Sequence, residues 1–134
     1  RRQAEGAAEG EVTVREGKVS QEEYRADVKG HRFVLCPPGN GFDTHRVYET
    51  LQLGAIPVVM GTEALSGLYA RFPALDAGPA DPPTLTLAHL KEAYPALLER
   101  TRDMWRNPAT NPLGRRFWED LIRRETAQRL FSGG

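Results

Sequence analysis

Residues 33–59 carry the groups best suited to chemistry. An apolar run, Phe33-Val34-Leu35-Cys36, leads into Pro37-Pro38-Gly39-Asn40-Gly41-Phe42-Asp43, and then into Thr44, His45, Arg46 and Glu49. Glycines let backbone amides approach a ligand closely, and a helix that follows such a loop presents unpaired N–H groups and the positive end of its dipole. These are the makings of a phosphate site. Arg46 and Glu49 are three residues apart, so on a helix starting near Thr44 they share neighbouring faces. A guanidinium suits a diphosphate, and a carboxylate suits the two hydroxyls of a ribose. An Arg in the first turn also opposes the helix dipole, which gives the helix nothing unless an anion is near. The plainer alternatives are a tight Gly/Pro turn and an exposed Arg46–Glu49 helix pair.

The neighbouring residues leave roles open. Asp43 and Thr44 compete as the helix cap. His45 suits a phosphate, a sugar hydroxyl or an acid–base role, and equally an ordinary polar position near a helix start. Asp43 with His45 supplies too few ligands for a metal, and His31 and His89 have no matching partners. Cys36, at the end of an apolar strand, reads as an inert buried thiol. The glycine spacing does not fit GxGxxG, and no Lys-Ser/Thr pair completes a Walker loop, so an ordinary dinucleotide or ATP loop is disfavoured.

These groups must be positioned by the elements around them. Phe33-Val34-Leu35-Cys36 and Ile56-Pro57-Val58-Val59-Met60 are continuous apolar runs, as expected of strands buried on both faces. A helix over residues 44–53, closed by Gly54 in a left-handed conformation, makes the intervening crossover of a parallel βαβ unit. Upstream, Ser20 and Glu23 have capping-box spacing for a helix running to about residue 29 and stopped by Gly30. Val12 and Val14 alternate as in a short edge strand over residues 11–15. Downstream, residues 63–72 read as short helix and residues 73–83 as loop. Thr84 or Thr86 caps a helix bearing Leu87, Leu90, Leu97, Leu98, Thr101 and Trp105, with Pro95 kinking it or starting a second one. Asn111-Pro112 opens a last helix to about residue 131, with Phe117, Leu121, Ile122 and Leu130 on its apolar face. Tyr94, Trp105 and Trp118 read as core.

The 134 residues are 40% hydrophobic and 27% charged, which fits one globular domain rather than a disordered tail. Eighteen basic residues balance eighteen acidic ones, so nothing in the overall charge suggests a nucleic-acid partner. A single cysteine excludes an internal disulfide framework. No stretch approaches the roughly 18 apolar residues of a membrane span. Two strands alone make a poor sheet, and a chain that opens on Arg1 and closes on Ser132-Gly133-Gly134 reads as part of something longer, with further strands upstream.

The run from Phe33 through the Pro-x-Gly loop to Arg46, with Tyr48, Glu49, Leu51, Leu53, Gly54, Ile56, Pro57 and Val58, resembles the donor-binding half of exostosin-like (GT47-type) glycosyltransferases. Those enzymes carry a similar strand, loop, Arg-x-x-Glu helix and Gly-x-Ile-Pro-Val strand. Residues 24–32 resemble the helix leading into that strand, and residues 84–98 a later helix. The resemblance implies an α/β, Rossmann-like βαβ half-domain of a GT-B enzyme with a helical C-terminal tail. Residues 1–19 read as a flexible lead-in or linker, since residues 1–10 are rich in Ala, Gly and Glu without periodicity, and the resemblance implies residues 20–134 as part of the C-terminal, nucleotide-sugar-binding domain. The implied substrate is a UDP- or GDP-linked sugar, used without cofactor or obligatory metal. The implied partners are a glycan or other hydroxyl acceptor and an N-terminal GT-B domain. The implied location, for a full-length eukaryotic enzyme, is the Golgi or another secretory-pathway membrane. Gly39, Asn40, Gly41 and Arg46 would hold the phosphates, with Arg46 stabilising the leaving diphosphate, and Glu49 the ribose. Asp43, Thr44 and His45 would complete the loop and helix start, where Asp43 and His45 mark a variant of the motif. A non-catalytic Rossmann-like interaction domain, or a binder of another phosphate ligand, is the competing expectation.

Overall fold

A computed structural model describes residues 12–39, 44–60, 63–78 and 85–131. The first helix, α1 (Gln21–Lys29), starts where the sequence dictates. The Ser20 hydroxyl accepts from the Glu23 amide at 3.1 Å, and the Glu23 carboxylate accepts from the Ser20 amide at 3.2 Å. This reciprocal cap contributes about 1 kcal/mol. The chain then passes through Gly30 into β1 (Phe33–Cys36), α2 (His45–Gln52) and β2 (Ile56–Val59), with β1 and β2 parallel and Phe33 opposite Ile56. Gly54, just past α2, has φ +85°, a conformation that costs L-residues roughly 1–2 kcal/mol and glycine almost nothing.

A third strand, β3 (Leu75–Asp76), lies in the segment read as loop and pairs in parallel with Val58 and Val59, giving the order β1-β2-β3. It explains how Pro57 is tolerated in the central strand. Ile56 donates its amide to the Arg32 carbonyl on the β1 side. Alternate amides face opposite edges, so the amide that proline lacks would face the β3 side, at a level β3 does not reach.

Burial corrects several sequence expectations. All four residues of β2 are buried, but β1 is an edge among the described residues and its Leu35 is 52% exposed. Residues 12–15 form no strand, and Val12 and Val14 are exposed. They run beside α1, where Arg15 makes a bidentate pair with Asp27, both distances 2.6 Å. Thr13 Oγ1 is 2.9 Å from His31 Nε2, while Nδ1 of the same ring is 2.7 Å from the Asp27 carbonyl.

Residues 63–72 form a 3₁₀ turn (Glu63–Leu65) and a single-turn helix, α3 (Ser66–Tyr69). Helix α4 (Leu87–Arg106), capped by Thr86, runs unbroken through Pro95. It buries Leu97, Thr101 and Met104, an i, i+4, i+7 stripe that leaves Trp105 one position off the face and 52% exposed. A 3₁₀ turn (Pro108–Thr110) capped by Asn107 precedes α5 (Arg115–Phe131), which begins later than Asn111-Pro112 suggests. Of the apolar face expected on α5, Phe117 is buried and Leu121 packs against the core, while Ile122 and Leu130 are exposed.

One core joins these pieces. Phe72, fully buried, meets Tyr48, Tyr69, Phe117 and Trp118 edge-on with ring centroids 5.6–6.5 Å apart. Around it lie Cys36 of β1, Val47 and Leu51 of α2, Val59 of β2 and Met104 of α4. The layer arrangement is mixed α/β, a small parallel sheet with helices packed on it.

Candidate functional site

Helix α1 delivers the chain to the start of β1, and α2 receives it from the end of β1, so both helices run against the strand. Their N-terminal turns therefore meet at the edge where the strands end, the usual ligand edge of an open α/β sheet. A cleft of about 230 Å³ lies there, lined by Val19, Ser20, Gln21 and Tyr24 from the start of α1 and by His45, Arg46 and Glu49 from the start of α2.

Three expected residues, His45, Arg46 and Glu49, thus share one wall. Arg46 makes no ion pair with Glu49. The Glu49 carboxylate is instead 4.0 Å from His45 Nε2. Arg46 and His45 are exposed and Glu49 is half-buried. Thr44 is the N-cap of α2, yet its side chain makes no capping bond and its Oγ1 is buried without a partner. No acidic residue stands in the first turn of α2. The helix start therefore keeps its positive end uncompensated by side chains among the described residues. Gly39 ends the described part of the loop; its φ is not positive, and a Cβ there would meet only Thr44 Cγ2, at 3.6 Å. Asn40, Gly41, Phe42 and Asp43 lie outside the described residues.

Sequence reasoning missed Tyr24, Ser20 and Gln21 as lining residues, because only the meeting of two helix starts brings them here. The spacing that reveals Ser20 as a cap also places Tyr24 in the first full turn of α1. The Tyr24 hydroxyl is buried with no hydrogen bond of good geometry, beside the Glu49 carboxylate. Burial first, and then the charge of Glu49, raise its pKa above the ordinary phenol value, with Arg46 pulling the other way. Cys36, behind the cleft, is raised chiefly by burial, against the hydrogen bond with Thr50. This fits the reading of an inert thiol.

Among the described residues no group of three or more His, Cys, Asp or Glu is arranged to hold a metal, and no helix is long and apolar enough to cross a membrane. A second cleft, of about 180 Å³, is lined by Arg71, Pro73, Arg100, Asp103 and Thr110. Its polar groups serve the fold. Arg100 Nη2 donates to the Ala70 carbonyl at 2.8 Å, tying α4 to α3, Thr110 Oγ1 donates to the Asn107 carbonyl at 3.1 Å, and Arg71 lies 3.9 Å from Glu125.

The chain therefore combines a parallel βαβ unit with a polar cleft at the C-terminal edge of its strands, holding an Arg and a Glu one helical turn apart. No curated protein matches the chain. Its sequence does match the RXYLT1 C-terminal domain family over residues 6–107, well over half of its length and including every element that lines the cleft. The chain belongs to the RXYLT1 C-terminal domain family and is a glycosyltransferase-related domain.

Proposed function

We propose that this domain is the nucleotide-sugar-binding part of an exostosin-like GT-B glycosyltransferase, which transfers a sugar from a nucleoside diphosphate to a hydroxyl acceptor. The observation that carries the reading is the placement of Arg46 and Glu49 on one cleft at a helix start with no acidic residue in its first turn, unpaired with each other. In this reading Arg46 and the amides of Gly39, Asn40 and Gly41 hold the diphosphate, and Glu49 accepts from the ribose hydroxyls. Thr44, His45 and Asp43 border the phosphates. As the sugar–phosphate bond breaks, charge builds on the leaving diphosphate, and fixed donors stabilise it in place of a metal. RXYLT1 is a xylosyltransferase, so a xylose-bearing donor is the first to try in turnover. The catalytic base and most contacts to the acceptor would come from an N-terminal GT-B domain across the active site.

The test is calorimetric titration of UDP and GDP into the full-length protein, with Arg46→Ala and Glu49→Gln as controls. Saturable binding lost in both folded variants supports the donor site. Absence of binding by the folded wild type overturns it in favour of a non-catalytic interaction domain.

A further inference from the structure

Two groups in the cleft are each left with half of an interaction. The Tyr24 hydroxyl, a donor, is shut away from solvent with no hydrogen bond, an unfavourable state for a buried polar group. Among the described residues the Glu49 carboxylate, an acceptor, has His45 at 4.0 Å, beyond hydrogen-bond length, and the Tyr24 phenol as a close neighbour whose pKa it helps to raise. Tyr24 and Glu49 project into the same cleft from facing helix starts. A carboxylate has about four acceptor directions on its two oxygens. It can accept from one phenol and still accept from two sugar hydroxyls, provided its rotamer is fixed. His45, an exposed side chain 4.0 Å away, is poorly placed to fix it. Tyr24 lines the same cleft with its hydroxyl buried and is better placed to do so.

We propose that Tyr24 is a positioning residue that donates to Glu49 when ligand binds, fixing the carboxylate so that it accepts from both the 2′- and 3′-hydroxyls of a ribose. The proposal rests on the reading of the cleft as a nucleoside diphosphate site, and it deepens that reading: Tyr24 sets the preference for ribose over 2′-deoxyribose. Tyr24 acts through Glu49 and touches no reacting atom. The same pairing satisfies the buried phenol, so the ligand completes a contact that the fold leaves open.

The experiment titrates UDP, GDP and their 2′-deoxy analogues into the full-length protein, its Tyr24→Phe and Glu49→Gln variants, and the double variant. The wild type is expected to prefer the ribonucleotide. Tyr24→Phe should weaken ribonucleotide binding roughly tenfold, as for loss of one charge-assisted hydrogen bond, and leave the 2′-deoxy affinity almost unchanged. Its melting temperature should stay level or rise, because an unpaired buried hydroxyl has been removed. In the Glu49→Gln background the same change should add little, since residues acting through one contact are non-additive. Unchanged ribonucleotide affinity in Tyr24→Phe, equal losses for both sugars, or full additivity with Glu49→Gln would each overturn Tyr24's role while leaving the donor site standing. A folded wild type that binds none of the four nucleotides overturns the donor site and this proposal together.

Discussion

His45 Nε2 lies 4.0 Å from Glu49 Oε1, one turn along α2, while Arg46 beside it reaches no carboxylate among the described residues. A helix selected for its own stability would carry an acid in this first turn and a capping side chain at Thr44. This one has His45 and Arg46 instead, and a Thr44 hydroxyl that caps nothing. The arrangement is costly for the helix and useful for binding an anion, which makes folding and binding separable by mutation.

Arg46→Ala should show that separation. Removing an exposed cation from the positive end of α2 should leave stability level or raise it by about 0.3–1 kcal/mol. Loss of a charge-assisted contact to a diphosphate should weaken UDP or GDP binding at least tenfold, or about 1.4 kcal/mol. Calorimetric titration and thermal melts on the same samples check this, and parallel losses of both would make Arg46 a structural residue.

Gly39 is open to a similar test. Its backbone lies outside the left-handed region, and an added methyl would make only ordinary contact with Thr44 Cγ2 at 3.6 Å. The fold therefore does not require glycine here, and Gly39→Ala should stabilise by about 0.4–1 kcal/mol through the unfolded chain. If the loop amides approach a phosphate, the methyl should reduce nucleotide affinity several-fold. Unchanged affinity would remove Gly39 from the site.

Cys36 governs an alkaline effect. Its pKa is raised from the ordinary 9.0, mainly by burial, so the folded state holds the proton more tightly than the unfolded chain. Stability is then complete below the ordinary value and is lost as the pH rises through the folded one. Tyr24, raised from 10.0, acts in the same direction at higher pH. Urea midpoints should stay level through neutrality and fall above about pH 9, with the onset blunted in Cys36→Ala. Iodoacetamide should label Cys36 slowly in the native protein and quickly in urea. Rapid native labelling would contradict the buried thiol.

What the sequence disclosed follows from which signals are local. Ser20 with Glu23, and Gly54 after α2, announce helix ends because caps depend on a few adjacent residues, and both behave as read. The run at residues 56–59 is buried throughout, whereas Leu35, of equal hydropathy, is half exposed. Apolar runs report the chemistry of a strand, and its neighbours decide whether both faces are covered. Strand β3 is two residues long, too short for any periodicity to register. Met104 takes the core position expected of Trp105, because one residue rotates a helix face by about 100°. In the site, Arg46 and Glu49 were legible from spacing within one helix. Tyr24, 22 positions before Arg46, joins them through tertiary structure alone.

Phe72 should decide whether the domain folds as one unit. It is fully buried and its ring meets Tyr48 of α2, Tyr69 of α3, and Phe117 and Trp118 of α5. Truncation to alanine should cost about 3–5 kcal/mol, a large part of the 5–15 kcal/mol typical of a domain. The milder Phe72→Leu keeps an apolar filler but loses the edge-on contacts, each of about 0.5–1.5 kcal/mol. Helix α5 lies beyond the family match, which ends at residue 107, and its distal residues 122–130 are all exposed. The helix is therefore held mainly through Phe117, Trp118 and Leu121. Hydrogen exchange of Phe72→Leu should show lost protection in α5 first, with the amides of β1, α2 and β2 retained, and nucleotide binding should survive under those conditions. Uniform loss of protection would mean that the cleft and the helical tail share one cooperative core, and binding should then fall together with α5.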